Sequence, residues 1–245
     1  MTNPTHEPAY LTQQRELRLL ILVLLCSVDF IFIGLHPLSK LGFLSEQFDI
    51  TQEGGYAELF QYVKEFCCAV LLLSIAWQVR SASYLVWAFF FGYLLMDDML
   101  QIHENGGELI AEYLNFASGF GLRAKDLGEL TVTLAVATVL FLALGLTYWR
   151  GTSRFRKVSM DILLLLVGLA FFGVVMDMLH VMLYNVEELG SLARILGEAA
   201  GLIEDGGEML VMSLMAWYLF LVAKKQKPDF FFWQWLGLPY PKRFV

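Results

Sequence analysis

Asp177 and His180 stand three residues apart in MDMLHVM, a spacing that puts a carboxylate and an imidazole on one face of a helix. That i, i+3 pairing is a way helix bundles present mixed oxygen and nitrogen ligands to a metal ion. Similar material recurs along the chain. MDDMLQIHE carries Asp97, Asp98, His103 and Glu104, and Asp29 precedes His36 by seven residues. Glu65, Glu129 and Glu208 complete the candidate ligand set of Asp29, His36, Glu65, Asp97, Asp98, His103, Glu104, Glu129, Asp177, His180 and Glu208. Mixed nitrogen and oxygen ligands suit Zn, Fe, Mn or Cu, and carboxylates alone suit Ca. Protons are the other means of neutralising crowded acids. The methionines beside these acids, Met96, Met99, Met176 and Met178, read as packing residues. No G-x-S-x-G elbow, Walker loop, dinucleotide fingerprint or H-E-x-x-H motif accompanies them.

The elements that position these groups are membrane spans. Hydrophobic residues make up 58% of the 245, with a mean hydropathy of +0.59, above the roughly 45–50% of soluble domains. Six windows reach the length of about 20 apolar residues that a bilayer crossing needs: 17–36, 57–79, 83–103, 127–149, 158–183 and 203–223. The expected fold is all-α, a polytopic bundle of six transmembrane helices. Residues 1–16 form a polar N-terminal tail, 17–224 the membrane domain and 225–245 an aromatic interfacial tail, FFFWQWLGLPYPKRFV closing it. The N-terminus lacks the basic start and cleavage site of a signal peptide, so the first span reads as retained. Cys26, Cys67 and Cys68 lie in apolar runs without metal-site spacing. The acidic balance, −7 overall, excludes nucleic acid as a partner.

Twelve of the seventeen Lys and Arg fall on the N-tail, the second and fourth loops and the C-tail. By the positive-inside rule both termini are cytoplasmic, and the expected location is a bacterial inner membrane. The acids then gather in the extracytoplasmic half of every span. Paired outward and returning spans give three hairpins with acids at a near-constant separation: 36 residues from Asp29 to Glu65, 32 from Asp97 to Glu129 and 31 from Asp177 to Glu208. This pattern predicts an internal repeat around a central site. Glu58, Tyr62 and Glu65, then Asp97, Gln101 and Glu104, then Asp177, His180 and Tyr184 each fall on one helical stripe.

Glycine-acid phrases adjoin most of these runs, as in ENGGELIAE, KDLGELTVT and EDGGEMLVMS. Asn105 with Glu108, Asp126 with Glu129 and Asp205 with Glu208 have capping-box spacing, which predicts helix starts there. Capping leaves unexplained the acids more than a turn inside a span. Each costs on the order of 2.5–3.5 kcal/mol and therefore faces a cavity or a partner. Lys64 is the only lysine inside a span, so too few bases are available to balance them. The expectation is a cation-binding pocket serving metal-ion or proton binding and transport. A membrane-embedded metalloenzyme acting on a lipid or quinone at the outer leaflet and a structural subunit of a larger membrane complex are the alternatives, with homo-oligomerisation open to each.

Overall fold

A computed structural model describes residues 9–119, 122–184 and 191–224, and every regular element among them is helical. The helices are α1 (Ala9–Lys40), α2 (Tyr56–Val79), α3 (Ser83–Leu100), α4 (Ile102–Tyr113), α5 (Ala124–Arg150), α6 (Ser153–Ala170), α7 (Asp177–Tyr184) and α8 (Ser191–Ala223). A 3₁₀ turn, Glu46–Phe48, follows α1, and a π-helical segment, Phe171–Met176, joins α6 to α7. Among the described residues, six stretches are long and apolar enough to cross a membrane: Glu16–Lys40, Tyr56–Val79, Ser83–Leu100, Ala124–Arg150, Ser153–Leu183 and Ile195–Ala223.

Local chemistry sets the breaks. Arg80 and Gln101 adopt left-handed conformations at the ends of α2 and α3. Thr152 caps α6 by accepting from the Phe155 amide at 3.2 Å. The loop after α1 turns at Gly42 and Gly54, both at positive φ, where glycine carries no steric penalty.

Helix α8 is the axis of the bundle, packing against α1, α2, α6 and α7, and α2 pairs closely with α3. Helix α5 stands apart from that axis. It is held by α4 and by an edge of α3, and it meets α6 only sparsely. Toward the ends of the spans remote from the acids, the space inside is filled. Tyr84, Trp87, Phe91, Phe155, Ile162, Met212, Met215 and Leu219 are buried in one cluster. Trp87 donates to Ser159 at 2.9 Å and Tyr218 to Asp161 at 2.8 Å. In lipid, apolar burial supplies little drive between helices, so close packing and hydrogen bonds of this kind hold the bundle together. Val23, Leu24, Phe30, Phe89, Leu142 and Leu146 point outward, as lipid-facing residues should.

Several expected boundaries change. Helix α1 begins by Ala9, inside the stretch read as a tail, and the third span ends at Leu100, where Gln101 breaks the helix before His103. Asp97, Gln101 and Glu104 therefore do not share one helical stripe. The last helix begins at Ser191, twelve residues before the expected start, because the glycine pair at 206–207 lies within a continuous helix. Helix α1 packs on α8 and reaches α2 through the Asp29–Lys64 pair and the Phe32–Phe60 rings. The aromatic tail 225–245 and the first eight residues lie outside the described residues.

A candidate acid-lined cavity

Because α5 stands off from α8, a cavity of about 660 Å³ opens between them, within the size range of small-ligand sites. Each helix around it contributes a stripe at helical spacing: Glu58, Gln61 and Glu65 from α2, Tyr93, Asp97 and Asp98 from α3, and Asp126, Glu129 and Thr133 from α5. Asp177 and Val181 come from α7 and Glu204, Asp205 and Glu208 from α8. Twelve carboxylate residues line the space, against Arg123 and Lys125 as basic partners. Of the candidate ligands, Glu65, Asp97, Asp98, His103, Glu104, Glu129, Asp177 and Glu208 are brought together here.

Asp29, His36 and His180 are not among the lining residues, although His180 stands beside Asp177 and Glu204, which are. Asp29, fully buried, pairs with Lys64 at 3.0 Å and accepts from Ser213 at 2.5 Å. Lys64 also donates to the Met209 carbonyl at 2.8 Å and lies near Ser213 Oγ at 3.4 Å. Lys64, deep within α2, thus neutralises the acid that α1 brings to it. His36 instead meets Asp49 at 2.9 Å. Asp49 also binds Lys40 at 2.9 Å and the Thr51 amide and hydroxyl at 2.9 and 2.8 Å. Burial would raise the Asp49 carboxyl, but Lys40 and Thr51 outweigh it and hold it below the usual value. Lys40 reaches Glu198 of α8 at 3.6 Å as well, so this knot ties the loop after α1 across the acidic end of the bundle. That loop supplies Ile50, Thr51, Gln52 and Glu53 to the cavity lining.

Two walls of the cavity differ in how their charges are balanced. On the α3 wall, Asp97 accepts from Tyr93 at 3.2 Å and from the His103 amide at 2.9 Å, and its second oxygen meets His103 Nδ1 at 3.0 Å. The hydrogen bond to Asp97 raises the His103 imidazole above its ordinary value despite burial. Lys125 approaches Glu129 at 3.3 Å and Glu104 at 3.6 Å, and Arg123 clamps Asp126 at 2.7 Å. Loop cations therefore cover part of the charge that the spans alone leave unbalanced. Opposite, on α7 and α8, one ligand atom each from Asp177, His180 and Glu204 lies within 4.8 Å of the others, with His180 Nδ1 at 3.0 Å from Glu204. This is a carboxylate/histidine group of metal-ligating type. Its His180 ring rests on Gly201, where a β-carbon would stand 3.1 Å from Cε1.

The glycine phrases owe their place to close approach. A β-carbon on Gly128 would lie 2.0 Å from the Gly107 carbonyl oxygen, so α4 and α5 touch backbone to backbone between the ENGGEL and KDLGEL phrases. A β-carbon on Gly207 would collide with the Phe172 ring at 2.2 Å, and one on Gly173 with Glu208 Oε1 at 1.8 Å. The π-helical segment, a feature that often marks functional positions, brings Gly173 and Phe172 to α8 and seats Glu208 at the cavity. Asp205 is interior to α8 and Asn105 to α4, where Asn105 donates to the Gln101 carbonyl at 2.9 Å. Neither starts a helix. Asp126 does serve an N-terminus, accepting from the Arg123 amide at 2.7 Å.

Glu204 and Gln61 are site residues absent from the sequence-derived set. Glu204 stands three residues beyond the Gly201 that accepts the His180 ring, and only the α7–α8 packing reveals that pairing. Gln61, one turn before Glu65, shared its stripe and was legible by spacing. Of the Asp177 stripe, the side chain of Tyr184 lies outside the described residues.

Residues 17–223 match the model of the domain of unknown function DUF8692, and the chain belongs to that family. No curated protein and no solved structure matches the chain.

Proposed function

We propose that this protein binds a divalent cation in the acidic cavity, at the extracytoplasmic side of a bacterial inner membrane with both termini cytoplasmic. The observation that carries the reading is the Asp177, His180 and Glu204 group, whose ligand atoms lie within 4.8 Å of one another, with Asp177 and Glu204 on the wall of a cavity lined by acids from α2, α3, α4, α5, α7 and α8. Asp177 and Glu204 would supply oxygen and His180 nitrogen, a donor set that fits Zn, Fe or Mn better than Ca. Glu204, Glu129 and Asp126 act electrostatically on Asp177 and attract a cation there, an attraction that Arg123 offsets in part. The packed cluster around Trp87 and Phe155 closes the other end, so the reading is binding from one side, with transport requiring that cluster to part.

The test is metal content measured by mass spectrometry on protein purified without chelators. Near-stoichiometric metal in the parent, lost in Asp177→Ala and His180→Ala and retained in Asp126→Asn, is the expected result. Equal and negligible metal in all four proteins would overturn the reading. A second reading, a metalloenzyme acting on a lipid or quinone, is favoured by the apolar residues that line the cavity below the acids, among them Phe90, Leu140 and Leu166. Turnover of an added amphiphile by the metal-loaded protein, abolished in His180→Ala, would support it over simple binding.

A further inference from the structure

Two buried acceptors on one face of α2 have no donor among the described residues. Gln61 Oε1 and Glu65 Oε2 make no hydrogen bond there, and the two side chains are 9% and 2% exposed. They stand one helical turn apart and both line the cavity. Buried polar atoms in folded proteins nearly always have partners, so an orphan asks for an explanation. Both orphans are acceptors when Glu65 is ionised, which means that the partner they then lack donates hydrogen bonds or carries positive charge. Asp98 lies against the Glu65 carboxyl, and the two acids hydrogen-bond when they share a proton, so a cationic donor at Glu65 would take the place of that proton.

The same cavity runs on into hydrocarbon. Along α5 its lining follows Glu129, Leu130, Thr133, Val136, Ala137, Leu140 and Phe141, a stripe of about 18 Å at the α-helical rise. Facing it are Phe90 and Leu94 of α3 and Leu166 and Leu169 of α6. That depth is roughly one leaflet of a hydrocarbon core about 30 Å thick. A hydrated metal ion would satisfy the orphaned acceptors and gain nothing from the slot. A neutral lipid would fill the slot and leave Glu65 without a charge partner.

We infer that the cavity takes a long-chain amphiphile with a primary ammonium head, the head donating to Gln61 and Glu65 and the chain lying between α3, α5 and α6. This goes beyond the metal reading and does not depend on it, because α7 and α8 supply the metal ligands whereas α2 supplies these acceptors. An ammonium has three donors on one centre, which suits two acceptors separated by one turn. Hydrogen bonds to charged groups are the stronger kind, and losing one corresponds to roughly a tenfold or greater loss of affinity.

The experiment uses the full chain in lipid nanodiscs and native mass spectrometry, with dodecylamine as the probe and dodecyltrimethylammonium and dodecanoate as controls. One dodecylamine should bind per chain, at least about tenfold more tightly than the trimethylammonium analogue, which has the charge and no N–H. Dodecanoate should not compete. Glu65→Gln should weaken dodecylamine about tenfold or more, and Ala137→Phe, which fills the slot, should abolish it. His180→Ala should leave amine binding unchanged while removing metal, so failure of one reading is separable from failure of the other. Equal binding of amine and carboxylate, or amine binding unaffected by both Glu65→Gln and Ala137→Phe in variants that keep the parent melting temperature, would overturn the inference. Loss of metal from Glu65→Gln would also overturn it, since the acceptors would then belong to the cation.

Discussion

Removing either partner of the Asp29–Lys64 pair should be among the most damaging single changes in the chain. Both side chains are at most 1% exposed and lie 3.0 Å apart. Each of the three ammonium hydrogens has an acceptor, in Asp29, the Met209 carbonyl and Ser213. Lys64→Met leaves Asp29 with only the Ser213 hydroxyl. Breaking a buried pair in this way costs about 3–5 kcal/mol, because the remaining charge stays buried and uncompensated. For a chain of this size each kcal/mol lowers Tm by about 2–4 °C, so the drop should fall between about 6 and 20 °C. The double variant Asp29→Asn, Lys64→Met removes both charges and keeps an amide for Ser213. It should recover most of the loss, since replacing an entire buried pair is often nearly neutral. The assay is thermal unfolding in detergent by tryptophan fluorescence, with metal content followed in parallel. Asp29 lies outside the cavity lining, so bound metal should not change in variants that remain folded. If Lys64→Met shifted Tm by no more than a degree or two, or if the double variant were worse than both single ones, the pair would not be what joins α1 and α2 to α8.

Three further outcomes follow. Gly128→Ala should lower Tm by several degrees, since its β-carbon would stand 2.0 Å from the Gly107 carbonyl oxygen, whereas Gly145→Ala, with nothing within 4 Å, should be neutral or slightly stabilising; parallel melting curves decide it. Asp49, held below its usual 3.8, contributes stability that is present above that value and lost as pH falls through the lower folded value. Asp49→Asn should therefore melt lower at pH 7 and converge with the parent under strongly acid conditions, as a Tm series against pH would record. A single cysteine at the exposed Ser118 should label from the extracytoplasmic side and one at the exposed Ser153 should not; the reverse pattern would place the acidic cavity on the cytoplasmic face.

The membrane architecture was legible because it rests on average hydropathy over some twenty residues, a quantity that single substitutions barely change. All six spans appear, with shifted ends. The ends moved where one residue governs the outcome. Gln101 takes a left-handed conformation that nothing in DMLQIHE announces, and the Gly206–Gly207 pair looks like a breaker yet lies within a helix because Phe172 packs into the gap it leaves. That acids of several spans lie together followed from depth and helical face. Their partners did not, because pairing across helices depends on rotation about each axis. Asp29 and Glu65 look equivalent in sequence, but one faces Lys64 and Ser213 whereas the other faces the cavity. The three-hairpin repeat was inferred from spacing alone, which constrains depth and leaves open which helices pack together.

The recurrence of glycine beside acid has a common physical basis in three of the phrases, ENGGELIAE, KDLGELTVT and EDGGEMLVMS. A carboxylate in the membrane is tolerable only when it faces other polar groups across a shared space, and helices must cross closely for short acidic side chains to reach that space. Glycine permits such crossings. Gly107 and Gly128 bring α4 to α5 just where Glu104 and Glu129 share Lys125. Gly173 admits the Glu208 carboxylate against the π-helical segment, and Gly207 receives Phe172. A glycine placed for crossing lies within its helix, whereas one placed for capping lies outside the helix end, and this difference separates the two roles experimentally. Gly207→Ala must displace the Phe172 ring and should disturb Glu208 with it, changing cation binding as well as stability. A capping glycine would affect stability alone. If Gly207→Ala lowered Tm with metal occupancy intact, the close crossing would be serving the fold and not the cavity.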